Sequence, residues 1–299
     1  MTLEEAIAKI KPLDHNAMEI AQKRWDSIAK PLHSLGKLET LLIQIAGITG
    51  NAEVDLSRRG LIAMCADNGV VEEGVTQTGQ EVTAIVAENF LKYDTSVGVM
   101  CKQNHAEIFP VDMGMVTDTK VRTDHKIAYG TQNMTKGPAM TREQAVKGLE
   151  AGIDMVRELN DKGYRILATG EMGIGNTTTS SAVASVLLKQ PVEEMTGRGA
   201  GLTREGLVRK INAIKKAITL NKPNPEDAID VLAKVGGLDI AGMAGVFLGG
   251  AVYGIPVVMD GFISCVSALI AMRICPAARD YILASHVSKE PAAHLILEL

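Results

Sequence analysis

The sequence is poor in aromatic residues and in excess charge. Phe, Tyr and Trp make up 3% of its 299 residues, with a single Trp, so stacking platforms for single-stranded nucleic acid are not expected. The formal net charge of −4 argues against non-specific attraction to nucleic acid or to an anionic membrane. We therefore expect neither nucleic acid nor a membrane among its partners.

Signatures of metal sites and disulfides are missing as well. The four cysteines form no C-x-x-C pair, and the six histidines are scattered without an H-E-x-x-H motif. Apolar residues surround Cys65, Cys101, Cys265 and Cys275, which favours reduced thiols in the core of a cytoplasmic protein. The sequence predicts no metal site.

One uncharged run, residues 240–259, is long enough to raise the question of a membrane span. It contains five glycines and Pro256 and leads into Asp260. We predict instead a tightly packed helix of small residues, a turn at Tyr253-Gly254 and a buried strand. The N-terminal MTLEEAIAKIKP mixes charges without an apolar core, so a secretory signal is not expected.

Short apolar runs alternate with helical segments downstream of Arg59. Four runs span residues 61–65, 107–111, 165–169 and 255–259, and a fifth candidate spans 281–284. Strands separated by helices are typical of βαβ units and of a parallel sheet covered on both faces. The sequence therefore predicts an α/β fold.

Capping residues predict where several helices begin and end. The first fifty residues are expected to be helical, since Thr2 and Glu5 have the spacing of a capping box and Asp14 can cap a second helix. Farther along, Asn224-Pro225 predicts a helix with proline at its first position, ending at Gly236-Gly237.

Four of the apolar runs are followed by an acidic residue with a glycine close behind. The pairs are Asp67 with Gly69, Asp112 with Gly114, Glu171 with Gly173, and Asp260 with Gly261. Open parallel sheets bind ligands outside the carboxyl ends of their strands, so we expect these carboxylates to surround one crevice. For any single pair, an ordinary turn is the simpler explanation.

The segment GEMGIGNTTTSSA, residues 170–182, is the richest candidate for a ligand site. Its glycines permit close backbone approach, and Asn176 to Thr179 stand where a helix would begin, so their amides and hydroxyls suit a phosphate. A threonine-capped helix after a tight turn explains the pattern equally well. A second glycine cluster, GRGAGL at 197–202, precedes a cationic helix, and SHVSKEP at 285–291 supplies Ser288.

Taken together, these motifs resemble the nicotinate-nucleotide:dimethylbenzimidazole phosphoribosyltransferase family, nearly end to end. The resemblance rests on MCADNGVVEEGV, GEMGIGNTTTSSA, GRGAGL followed by Lys210, KPNPEDAIDVLAKVGGLDIAGM, VVMDGFIS, KPLHSLGKLE and GPAM. It implies a pentosyltransferase that moves phosphoribose from nicotinate mononucleotide to dimethylbenzimidazole. The products would be nicotinate and α-ribazole phosphate, for the nucleotide loop of cobalamin.

The same resemblance implies a Rossmann-like parallel sheet with a small helical domain, a homodimer and no cofactor. Residues 1–50 would form the N-terminal part of the small domain, and residues 51–299 the α/β domain. Glu171 would lie beside the ribose and base as the catalytic residue. The substrate-binding set would be Asp67, Thr78 and Gln80 at the benzimidazole, Gly173, Asn176, Thr177, Gly199, Lys210 and Ser288 at the phosphate, and also Asp260 and Gly261.

The sequence departs from the family pattern at two places. Asn68 replaces the histidine of the family's A-D-H-G motif, and the Leu-Gly-Glu-Gly segment that carries the family's general base does not occur within the 299 residues. Three hypotheses follow. The first is a phosphoribosyltransferase, either C-terminally shortened or divergent, in which Glu171 is the one motif acid expected near enough to serve as the base. The second is a non-catalytic nucleotide-binding homologue or a truncated inactive form, and the third is a nucleotide-dependent oxidoreductase. The third lacks a dinucleotide fingerprint.

Overall fold

A five-stranded parallel sheet forms the centre of the computed structural model, which describes residues 1–299. Its strands are β1 (Arg59–Ala66), β2 (Ala106–Gly114), β3 (Ile166–Met172), β4 (Val257–Met259) and β5 (Ile282–Ala284). Their order is β2-β1-β3-β4-β5. The chain therefore places β2 on one side of β1 and then adds β3, β4 and β5 on the other side. The predicted α/β class is confirmed, and a ligand crevice is expected between the carboxyl ends of β1 and β3.

Thirteen α-helices accompany the sheet. They are α1 (Leu3–Ile7), α2 (His15–Ser27), α3 (Lys37–Thr49), α4 (Glu81–Lys92), α5 (Ser96–Gln103), α6 (Arg142–Asp161), α7 (Asn176–Leu187), α8 (Val192–Met195), α9 (Arg204–Asn221), α10 (Ala228–Val235), α11 (Leu238–Tyr253), α12 (Phe262–Ile274) and α13 (Ala292–Leu297). The first fifty residues are helical as expected, and Thr2 forms the predicted capping box with Glu5. The division into two domains at residue 50 stays a prediction.

The helix α11 is the most enclosed element of the fold. All residues from Leu238 to Ala251 are buried, because α11 packs against α6, α12 and the first three strands. Glycines bring the backbones of α6 and α11 together: a Cβ added at Gly152 or Gly245 would approach backbone atoms of the facing helix more closely than the 3.0 Å that real Cβ atoms keep. We call this contact the α6–α11 seam.

The uncharged run follows the predicted course. The helix α11 ends at Gly254 with φ +65°, and the buried strand β4 comes next. None of the helices combines the length and the apolar character that a membrane span requires.

Two predicted boundaries are wrong. The strand β3 continues past residue 169 to Met172, because Gly170 and Glu171 keep pairing with Ala63 and Met64 of β1. The helix α10 begins at Ala228 rather than at Pro225, because the Asp227 carboxylate accepts hydrogen bonds from the first-turn amides and caps the helix there. Glu171 is therefore held by the sheet itself and not by a loop.

Candidate active site

The N-terminus of α7 lies at the carboxyl end of β3, where the sheet order predicts a ligand. Gly175, with φ +96°, precedes the helix, and no side chain caps it. Gly173 sits so close to its neighbours that an added Cβ would lie 2.5 Å from Ala66 O and from an Asp239 carboxylate oxygen. The tight turn therefore directs the helix N-terminus and its partial positive charge at open space.

A cavity of about 130 Å³ opens at this helix terminus, and we call it the cradle cavity. Three segments contribute its wall, residues 75–78, 173–177 and the glycine-rich loop around 198–202. Hydroxyl, amide and guanidinium groups from Thr76, Thr78, Asn176, Thr177 and Arg198 line it. This donor-rich lining suits an anion such as a phosphate.

A fully buried lysine reaches the loop that closes the cradle cavity. Lys210 Nζ donates to Thr177 Oγ1 at 3.0 Å and to Gly197 O at 3.1 Å. Burial lowers the pKa of Lys210 to about 8, since removing the ammonium from water disfavours its charged form. Both partners are neutral, so the ammonium charge is compensated by no ion pair and favours an incoming anion.

Two carboxylates share the amide of one asparagine beside the cradle cavity. Asn176 Nδ2 donates to Glu171 Oε2 and, at 2.8 Å, to Asp239 Oδ2. Burial together with the negative charge of Asp239 raises the pKa of Glu171 to about 7, and burial raises the pKa of Asp239 to about 6. A carboxyl group that titrates near neutral pH is suited to proton transfer.

Glu171 also faces a second cavity of about 300 Å³, which we call the carboxylate cavity. Asp260 and Ser285 line it on the polar side, and Phe90, Val97 and Met100 provide an apolar wall. Glu171 thus lines the carboxylate cavity and is joined to the cradle cavity through its hydrogen bond with Asn176. A cavity of about 340 Å³ near Tyr164 and Ile255 lies at the opposite, amino ends of the strands.

A family model described as Phosphoribosyltransferase matches residues 10–299. The chain belongs to this phosphoribosyltransferase family. The nicotinate-nucleotide--dimethylbenzimidazole phosphoribosyltransferases of Ruminiclostridium cellulolyticum and Clostridium acetobutylicum are 53% and 51% identical to it, over 100% of this chain and 85% of each relative. A crystal structure of CobT from Thermus thermophilus has a TM-score of 0.89 and 36% identity, covering 95% of this chain and 86% of that chain. The resemblance that the motifs suggested is confirmed.

Half of the residues predicted from the family motifs line one of the two cavities, and Gly199 and Lys210 contact a residue that does. Thr78, Gly173, Asn176 and Thr177 line the cradle cavity. Gly199, with φ +55°, packs against Thr177, and Lys210 donates to the same threonine. Glu171 and Asp260 line the carboxylate cavity, with Gly261 next in the chain.

Ser288 lies beside the glycine-rich loop through its neighbour Glu290. Its hydroxyl accepts a hydrogen bond from Glu290 N at 3.3 Å, and the Glu290 carboxylate accepts one from Gly199 N at 3.0 Å. The segment 288–290 therefore reaches the loop that closes the cradle cavity.

Asp67 and Gln80 lie close by but line neither cavity. Asp67 is fully buried and accepts from Val116 N at 2.8 Å, and Gln80 donates to Asn68 O at 3.2 Å. Asp112, also buried, accepts from the Met115 amide. The four strand-end carboxylates thus form two sets: Glu171 and Asp260 face a cavity, whereas the two buried aspartates hold loops. Contact of Asp67 and Gln80 with a ligand stays a prediction.

Sequence reasoning missed three charged residues at the site. Asp239 had a visible signal, since it is the one charge in the first turn of an otherwise uncharged helix. Arg198 was overlooked within GRGAGL although it lines the cradle cavity. Glu290 gave no signal, because only the fold brings residue 290 to residues 197–199.

Proposed function

We propose that this chain transfers phosphoribose from nicotinate mononucleotide to dimethylbenzimidazole, giving α-ribazole phosphate and nicotinate. The observation that carries the proposal is whole-chain identity of about half to relatives that bear the name of this transferase. The anion-binding cradle cavity beside a carboxyl group that titrates near pH 7 supports it. Nothing in the family or the site favours an inactive homologue or an oxidoreductase.

The cradle cavity is our proposed site for the donor phosphate. The N-terminus of α7, the side chains of Asn176 and Thr177, the loop at Gly199, and Lys210 would hold it, with Ser288 alongside. Fixing the phosphate would place the anomeric carbon of the ribose near Glu171. Such positioning converts an encounter in solution into an oriented reaction within one complex.

The chemistry then requires one bond to form and one to break at the anomeric carbon. A ring nitrogen of the azole attacks that carbon, while the bond to the pyridine nitrogen breaks and its electron pair neutralises the pyridinium. The attached azole must lose the proton of its other nitrogen. We assign Glu171 as the acceptor of that proton, since burial and Asp239 bring its pKa to about 7.

Nicotinate release with dimethylbenzimidazole as the acceptor tests the proposal directly. Wild-type protein should release nicotinate and form α-ribazole phosphate in equal amounts, and omission of the azole should abolish both. Absence of transfer with intact binding of nicotinate mononucleotide would favour a nucleotide-binding homologue. A spectral change of added NAD(P)H would favour the oxidoreductase.

We further propose a cytoplasmic homodimer. The four cysteines are free and buried, which suits a reducing compartment. Sedimentation of the purified protein at micromolar concentration tests the dimer, and a monomeric mass would contradict it.

A further inference from the structure

The Glu290 carboxylate is directed into the loop that closes the cradle cavity. Its Oε1 accepts a hydrogen bond from Gly199 N at 3.0 Å. Its Oε2 lies against Gly197, where a Cβ would come closer than the 3.0 Å that real Cβ atoms keep. That second oxygen is buried and has no hydrogen-bond partner. The loop is therefore built around a carboxylate that is only half satisfied by hydrogen bonds.

Lys210 holds the same loop from the other side. Its ammonium donates to Gly197 O at 3.1 Å, two residues before the amide that Glu290 accepts from. Glu290 and Lys210 are not in direct contact as an ion pair, yet the negative charge of Glu290 raises the pKa of Lys210 against the effect of burial. The negative charge of Glu290 thus favours the ammonium form of Lys210.

We propose that Glu290 is a positioning residue for the donor phosphate, which holds the Gly199 amide in place and sets a negative charge against the same glycine loop that the Lys210 ammonium contacts. The proposal rests on the proposed function, because it concerns the phosphate of that donor. Glu290 touches the loop and not the reacting atoms. Its effect on binding must therefore pass through Lys210 and the Gly199 amide.

The other charged groups around α9 are directed elsewhere. On the helices and turns that pack against α9, Glu194 is exposed to solvent and the other acidic groups are held by partners of their own, and Arg198 on the loop is exposed and lines the cradle cavity. The partnerships are Glu193 with Lys215, Asp230 with Lys234, Glu72 with Lys136, Glu73 with Asn133 and Thr135, and Arg209 with Gly74 O. Glu290 is thus the acidic group that acts on Lys210.

The test is the pH dependence of nicotinate mononucleotide binding, measured by calorimetry between pH 7 and 9.5. A phosphate monoester has its second pKa near 6, so the ligand keeps its charge over this range. The variants are Glu290→Gln, which keeps an oxygen for the Gly199 amide, and Glu290→Ala, which does not. Glu194→Gln, at an exposed position on α8, is the matched control.

For Glu290→Gln we expect a Kd within about twofold of wild type at pH 7 and several-fold higher than wild type at pH 9, because loss of the negative charge lowers the pKa of Lys210 further. Glu290→Ala should be weaker at every pH, and the control should follow wild type. Nicotinate, which has no phosphate, should bind all four proteins alike. Circular dichroism and Tm establish that each variant is folded.

Three results would overturn the proposal. Equal weakening of Glu290→Gln at all pH values would make the residue merely structural, and tighter binding would mean that its carboxylate repels the phosphate. Wild-type behaviour of both variants would remove Glu290 from the site. Wild-type protein that fails to bind nicotinate mononucleotide would refute the proposed function itself, a result distinct from these three.

Discussion

Replacement of Lys210 by methionine should separate ligand binding from stability. Burial lowers the pKa of Lys210 from 10.5 to about 8, and one pKa unit corresponds to about 1.4 kcal/mol. The buried ammonium therefore destabilises the folded state by about 3 kcal/mol at neutral pH. Lys210→Met removes that effect but leaves Thr177 Oγ1 and Gly197 O, both half-buried, without their donor, which costs about 1–3 kcal/mol at most for each group.

These effects partly offset each other, so we expect the net change in the free energy of unfolding at pH 7 to lie between about 1 kcal/mol of stabilisation and about 3 kcal/mol of destabilisation. The pH dependence should change more clearly. Because the folded pKa lies below the unfolded one, the unfolded chain binds more protons between about pH 8 and 10.5, and Lys210 makes wild-type stability rise over that range. The methionine variant should lack this rise in urea titrations at successive pH values.

The effect of Lys210→Met on binding should depend on whether the ligand carries a phosphate. A charge-assisted hydrogen bond contributes about 1.5–3 kcal/mol, so the variant should bind nicotinate mononucleotide roughly 10- to 150-fold more weakly, whereas nicotinate should bind as to wild type. Calorimetry with both ligands measures the difference. Equal loss for the two ligands, or unchanged binding of the mononucleotide, would remove Lys210 from the phosphate site.

Three further predictions concern Glu171 and the α6–α11 seam. Glu171→Gln keeps an oxygen for Asn176, so donor binding should stay near normal while nicotinate release slows by about 10²- to 10⁴-fold; unchanged turnover would assign proton removal to another carboxylate. Burial raises the pKa of Glu171 from 4.5 to about 7, so its contribution to the free energy of unfolding should fall as the pH rises through that interval. Denaturant titrations at successive pH values should therefore show a smaller loss of stability for Glu171→Gln than for wild type. The same pH dependence in both proteins would contradict this. Gly245→Ala places a methyl group against Leu149 O and should lower the free energy of unfolding by about 3 kcal/mol or more. The control Gly137→Ala, with nothing within 4 Å of the added Cβ, should change it by less than about 0.5 kcal/mol. Equal urea midpoints for the two variants would show that α6 and α11 can move apart to accept the methyl group.

Local patterns were sufficient to predict most of the fold. The five strands and the helical N-terminus follow from apolar runs and capping residues, because these features act over a few neighbouring residues. The ends of elements were less predictable. Whether Gly170 breaks a strand depends on whether the partner strand continues, and β1 does continue opposite Ala63 and Met64.

The site was predictable where its residues lie within one motif. Gly173, Asn176 and Thr177 are four positions apart at most, and a strand–turn–helix places them together. The pairing of Asn176 with Asp239, 63 residues away, depends on how α11 docks. The same holds for Glu290, which approaches Gly199 across 91 residues. No pattern of spacing encodes such contacts.

The α6–α11 seam fixes the position of the helices on one side of the site, whereas loops form the other side. Asp239 belongs to the first turn of α11, and α11 cannot slide along α6 while its glycines touch the opposite backbone. The residues across the cradle cavity, Gln77, Thr78, Arg198 and Ala200, are exposed and lie outside helices and strands. A mononucleotide would therefore enter and leave on the loop side. The rate of product release should respond to substitutions in these loops and not to substitutions in α6 or α11.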